Sequence, residues 1–115
     1  MKMSYSKQEI LNSQEMQRSQ NLKWQFEGIA NWPDFVEQNK ELLVCLSSYT
    51  APQLFESGLL RERTIKLSKK QILYLRKKKI RKQNVFELSF GQTVATVYFS
   101  EPGFLHMLWL HPKEA

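Results

Sequence analysis

Asn84-Val85-Phe86-Glu87-Leu88-Ser89-Phe90, then Gly91-Gln92, then Thr93-Val94-Ala95-Thr96-Val97-Tyr98-Phe99 is the stretch whose reading decides the fold class. Phe86, Leu88 and Phe90 alternate with Glu87 and Ser89, the period of a half-buried strand. Gly91-Gln92 is a turn. Thr93 to Phe99 is rich in β-branched and aromatic residues, which pack well on a pleated surface. Glu101-Pro102-Gly103 marks a second turn, and Phe104 to Leu110 follows as a third strand. The expectation is a three-stranded antiparallel meander. Alternation in its last strand places Phe104, His106, Leu108 and Leu110 on one face. Leu105, Met107, Trp109 and His111 then fall on the other. Both faces are apolar, which predicts a central strand or a face that meets a partner. Leu105, Met107 and Trp109 are the residues of that protein interface, a homodimer being one form of it.

Upstream of the meander, Ser68-Lys69-Lys70-Gln71 reads as a capping box. It predicts a helix from Lys69 to about Lys82, stopped at Asn84. On a helical wheel Ile72, Leu73 and Ile80 form the docking face. Lys70, Tyr74, Lys77, Lys78 and Arg81 fall on the outward side. Before it, Leu60 to Leu67 alternates Arg61, Arg63, Ile65 and Leu67 with Glu62, Thr64 and Lys66. This reads as an edge strand whose charges discourage edge pairing.

Further upstream the pattern is helical. Thr50-Ala51-Pro52 opens a short helix through Phe55 that Gly58 ends. Asn31-Trp32-Pro33-Asp34 opens a longer one, to about Leu46. Leu22, Trp24 and Phe26 alternate with polar residues and suggest a short strand. Ser6 and Glu9 form a capping box for a helix over about 7–19. Its thin apolar stripe makes residues 1–20 a loosely docked helix or arm. The fold class expected is α+β: N-terminal helices, then a basic helix, then a C-terminal three-stranded antiparallel sheet.

The 115 residues suit a single domain. Hydrophobic content of 42% and charged content of 24% are those of a folded globular chain. No run approaches the ~20 apolar residues of a membrane span, and the start has no signal-peptide apolar stretch. A cytoplasmic protein with no membrane partner is expected. Cys45, the one cysteine, sits in the run Leu42-Leu43-Val44-Cys45-Leu46 and reads as a small buried hydrophobe. One Cys and two His cannot make a zinc finger. There is no Gly-rich phosphate loop, no GxSxG and no HExxH. No cofactor, metal or catalytic residue is assigned, and the chain is read as a non-enzymatic binding protein.

Charge carries the functional reading. Arg61 to Lys82 holds 11 of the 17 basic residues and one acid, Glu62. The segment is +10 and the rest of the chain is −4. Concentrating like charges on one helix costs a few tenths of a kcal/mol per i,i+4 pair, so an anionic partner is the natural compensation. Arg61, Arg63, Lys70, Tyr74, Lys77, Lys78, Arg81 and Lys82 are the candidate nucleic-acid contacts, with phosphate neutralisation as the mechanism and Tyr74 as a stacking group. The alternative is an adaptor or inhibitor that sets the same basic face on an acidic protein.

The run Asn84-Val85-Phe86-Glu87-Leu88-Ser89-Phe90 followed by Thr96-Val97-Tyr98-Phe99 is also similar to the "ELRF…VLYFF" run of the RelE/HigB-like toxin ribonucleases. The chain departs from that family at Ser89, where an Arg is usual, and in its C-terminal basic residues, reduced to Lys113. The resemblance implies a small ribonuclease in which Arg61, Arg63, Tyr98 and His106 supply phosphate clamping and acid–base groups.

Overall fold

β-Branched and aromatic residues crowd 93–99, within the longest strands of the chain. The computed structural model describes residues 4–14, 23–27, 32–90, 92–101 and 104–112. Their elements, in order, are α1 (Lys7–Asn12), β1 (Lys23–Phe26), α2 (Trp32–Gln38), α3 (Lys40–Ser47), α4 (Ala51–Glu56), β2 (Leu60–Glu62), α5 (Lys69–Lys77), a 3-10 turn (Lys82–Asn84), β3 (Phe86–Phe90), β4 (Thr93–Glu101) and β5 (Phe104–Pro112).

The sheet corrects the expected three strands. It has five, in the order β1-β5-β4-β3-β2, and it is mixed. β3, β4 and β5 form the antiparallel meander at its centre. β1 adds parallel to β5, pairing Lys23 with Phe104 and Phe26 with Met107. β2 adds antiparallel to β3, pairing Leu60 with Leu88 and Glu62 with Phe86. Both additions are short and lie far in sequence from their partners, so no local pattern announces the pairing.

The expected edge strand over 60–67 stops after Glu62, and Glu87 is the reason. Its carboxylate accepts the backbone N–H of Thr64 at 2.5 Å and of Ile65 at 2.6 Å. Those two donors are thereby withdrawn from any strand ladder, and the chain peels away from the sheet edge. The same carboxylate takes the Thr64 hydroxyl and Arg61 Nε, the latter at 3.0 Å.

The starts of α1 and α4 are capped as their sequences dictate. Ser6 with Glu9 and Thr50 with Gln53 form reciprocal capping boxes on α1 and α4. Gly58, at φ 81°, takes the left-handed position that ends α4. The single helix expected from Asn31 to Leu46 is divided at Asn39 between α2 and α3; the Asn39 amide side chain bonds the Phe35 carbonyl at 2.9 Å. α1 is anchored by Ile10, which is fully buried. The expected stretch beyond it, 15–20, and Leu22 lie outside the described residues.

Both faces of the sheet are covered. One face carries Phe86, Leu88, Ala95, Val97, Phe99, Leu105 and Met107, packed with Ile10, Leu43, Leu46 and Leu54 from α1, α3 and α4. The other is a smaller cluster of Leu67, Leu75, Ile80, Val85, Tyr98 and Leu108, with Ile72, Tyr74 and Trp109 against it. α5 lies on this second face.

A register shift opposite Thr96 and Val97 changes the parity of β5. Thr96 pairs with Trp109 but Val97 pairs with Met107, so Leu108 is the extra residue of a β-bulge. Two sequence-based expectations fail here. His106 and His111 are not on opposite faces: His106 bonds Ser100, and His111 bonds Thr96, on the α5 side. Leu105, Met107 and Trp109 do not form one partner-facing surface either. Leu105 and Met107 are fully buried in the larger core, and Trp109 packs on the opposite side against Tyr74.

Candidate nucleic-acid interface

The basic helix is shorter than its sequence suggests. Ser68 caps it through Gln71 N–H at 3.2 Å, and Gln71 Oε1 accepts Ser68 N–H at 2.9 Å. It ends at Lys77 rather than about Lys82. Lys79 takes φ 61°, Lys79 N–H bonds the Arg76 carbonyl at 3.0 Å and Ile80 N–H bonds the Leu75 carbonyl at 2.9 Å. This pair of bonds is a Schellman motif with lysine at the position usually held by glycine. The turn buries Ile80 against Leu75, which repays the left-handed residue. Asn84, buried beyond it, donates its side-chain N–H to Ser4 Oγ at 2.9 Å.

Losing the last turn rotates the expected faces. Leu75 is the fully buried residue of α5, with Ile72 and Tyr74 half-buried. Leu73, expected in the core, is 61% exposed. Ile72, Leu73, Tyr74 and Leu75 are consecutive, so they point all round the helix and no wheel can choose among them. Ile80, which biased the choice, lies beyond the helix end.

Tyr74 and Lys78, expected outward, are engaged inward. Tyr74 meets Trp109 edge-on, ring centroids 5.5 Å apart, and the Lys78 ammonium lies 5.2 Å from its ring centre. Lys78 Nζ also pairs with Glu27 Oε2 at 2.6 Å. Arg61 is held by Glu87, and Arg63 Nη1 donates to the Ile65 carbonyl at 3.1 Å. Of the expected contacts, Lys70, Lys77, Arg81 and Lys82 remain exposed and form no ion pair with a described residue. Lys69, Arg76 and Lys79, which the wheel did not place outward, share that condition, as does Lys66 ahead of the helix. The outward stripe of α5 is Lys69, Lys70, Leu73, Arg76 and Lys77, continued past the helix by Lys79, Arg81 and Lys82.

A second group of polar side chains sits beneath α5. Glu27, just past β1, accepts the Tyr98 hydroxyl at 2.8 Å as well as Lys78. His106 stacks on Tyr98 with centroids 4.5 Å apart and bonds Ser100 Oγ through Nε2 at 2.5 Å. Its Nδ1 lies 3.6 Å from Glu27 Oε1 and makes no hydrogen bond. Burial disfavours the Glu27 charge, but the hydrogen bonds from Lys78 and Tyr98 outweigh it and hold the carboxyl below its usual range. Burial likewise opposes the Lys78 charge, and Glu27 outweighs it, so the ammonium is strengthened. Burial pushes His106 down, towards the neutral ring. Burial and the Glu27 hydrogen bond push the Tyr98 hydroxyl well up.

Ser100, His106 and Glu27 stand in the order of a nucleophile, base and acid. The 3.6 Å gap is too long for the orienting hydrogen bond that order requires. The Glu27 carboxylate is instead committed to Tyr98 and Lys78, which makes the group a crosslink between β1, β4, β5 and the end of α5. The structure brings Tyr98 and His106 together but not with Arg61 and Arg63: β3 separates β2 from β4, and both arginines are bonded elsewhere. Glu27 was not singled out in the sequence, since a lone acid after two alternating aromatics carries no motif.

Among the described residues no group of His, Cys, Asp and Glu is placed to hold a metal, and no helix is long and apolar enough to cross a membrane. No protein-family model, curated protein or solved structure matches the chain.

Proposed function

We propose that the chain is a binding protein that contacts a polyanion, nucleic acid above all, through the exposed stripe of α5 and the turn that follows it. The observation that carries this reading is the set of eight exposed cations from Lys66 to Lys82, none paired with a described carboxylate. Among the described residues, Glu27 pairs with Lys78 and Glu87 with Arg61, and neither is paired with a cation of the outward stripe. A field of one sign over one helix draws in anionic partners and raises their local concentration. Its strength against a nucleic acid depends on how many phosphates are neutralised and therefore on salt.

The test is fluorescence anisotropy of labelled DNA and RNA at rising salt, with a Lys70→Gln, Lys77→Gln, Arg81→Gln variant beside the natural chain. These three side chains are exposed and form no ion pair with a described residue, so the fold is expected to survive. Binding should weaken linearly in log salt, and the slope should fall by roughly one for each removed cation that touches a phosphate. Absence of binding at low salt, with polyglutamate retained instead, would replace nucleic acid by an acidic protein.

A further inference from the structure

The α5 stripe has a layout as well as a charge. Lys69 and Lys70 stand at one end, Arg76 and Lys77 at the other, and Leu73 lies between them with 61% of its surface exposed. The two cation pairs are seven residues apart, roughly 10 Å along the axis at 1.5 Å per residue. The major groove of B-form DNA is about 12 Å wide and admits a helix. We infer that the nucleic acid bound here is double-stranded DNA, with α5 in the major groove, the two cation pairs on phosphates of opposite strands and Leu73 towards the base edges. This rests on the polyanion reading above and names its substrate.

Two further observations favour duplex over single strand. Single-stranded binding without sequence preference relies on aromatic rings open to stacking. No described aromatic is exposed, and Tyr74 has one side against Trp109 and Lys78 near its ring. The stripe is also rigid at both ends: a capping box fixes the first and the Schellman turn fixes the second. That turn keeps a lysine in a left-handed conformation where glycine would be unstrained, and Lys79, Arg81 and Lys82 after it are all exposed. DNA is favoured over duplex RNA because the A-form major groove is too deep and narrow for a helix to read. An isolated leucine offers apolar contact to thymine methyl groups but no hydrogen bond, so weak sequence preference is expected.

The deciding experiment compares one mixed sequence as DNA duplex, RNA duplex and DNA single strand, over a series of salt concentrations that starts low, with Leu73→Ala beside the natural chain. Circular dichroism checks the fold of the variant, whose changed side chain is exposed. The duplex DNA should bind about tenfold more tightly than either of the others. Leu73→Ala should weaken it by about fivefold, the loss of part of one buried leucine, and leave the salt slope unchanged. Equal or tighter binding of single strand or RNA duplex would overturn this inference while leaving the polyanion reading intact. So would a Leu73→Ala variant that binds duplex DNA as well as the natural chain. Failure of all three nucleic acids to bind would overturn both this inference and the choice of nucleic acid as the polyanion.

Discussion

The two faces of the sheet are held by different forces. On the α1–α4 side, Phe86, Leu88, Phe99, Leu105 and Met107 are almost wholly buried among aliphatic and aromatic neighbours. On the α5 side, one fully buried helix residue, Leu75, meets a smaller cluster, and two carboxylates do much of the fastening. Glu87 ties down the 63–65 segment, and Glu27 ties Lys78 and Tyr98. A dry face stabilises by area removed from water and transmits changes of volume. A face fastened by hydrogen-bonded charges is open to pH and leaves the outer side of its helix free for a partner.

The comparison is sharpest for core truncations. Leu88→Ala, at the centre of the dry face, should cost about 4 kcal/mol in urea unfolding. Glu87→Ala leaves two backbone N–H groups and Arg61 without their acceptor and should cost about 3 kcal/mol. Leu75→Ala should cost about 2 kcal/mol, because a helix held by one such residue can settle into the space. Equal losses at Leu88 and Leu75 would break the contrast between the faces.

Acid should act on the α5 side through four groups, His106, His111, Glu27 and Glu87. Burial pushes His106 and His111 below 6.5, so each favours the fold when neutral. Their stabilisation is complete above that value and is lost as pH falls through the lowered ones. Glu27 and Glu87 titrate below 4.5, since their hydrogen bonds outweigh burial. Their contribution is complete above 4.5 and is lost as pH falls further. Unfolding followed between pH 7 and pH 3 should show stability declining in both windows, with Glu87→Gln flattening the lower one. The smallest effect is a gain: Lys79→Gly should add about 1 kcal/mol by relieving the left-handed lysine.

Much of the fold was legible in sequence because its signals are local. Ser6, Thr50 and Ser68 each announce a helix start three residues before a Glu or Gln. The alternation of Phe86, Leu88 and Phe90 announces β3. What was illegible depends on distant partners. Trp24 and Phe26 hint at a strand but cannot say that it lies parallel to β5. The bulge at Leu108 leaves no mark in a run that is apolar on both sides, yet it moves Trp109 and His111 to the other face. The candidate site was legible as a charge and not as a geometry. Eleven cations in one segment are plain, but which of them Glu27 and Glu87 absorb is set by residues far from them in sequence.

β1 joins β5 across almost the whole chain, Lys23 opposite Phe104, and Ser4 meets Asn84 across 80 residues. Within the meander, Phe90 pairs with Thr93 and Glu101 with Phe104, so its strands are close in sequence. Closing a long loop costs entropy before any contact rewards it, so the hairpins of β3, β4 and β5 should assemble early and β1 should arrive late. Until it does, β5 has an open edge, and Lys78 and Tyr98 lack their carboxylate. The inner fastening of α5 is therefore complete only once the N-terminal strand has closed, which makes β1 a late clasp on the helix that carries the charge.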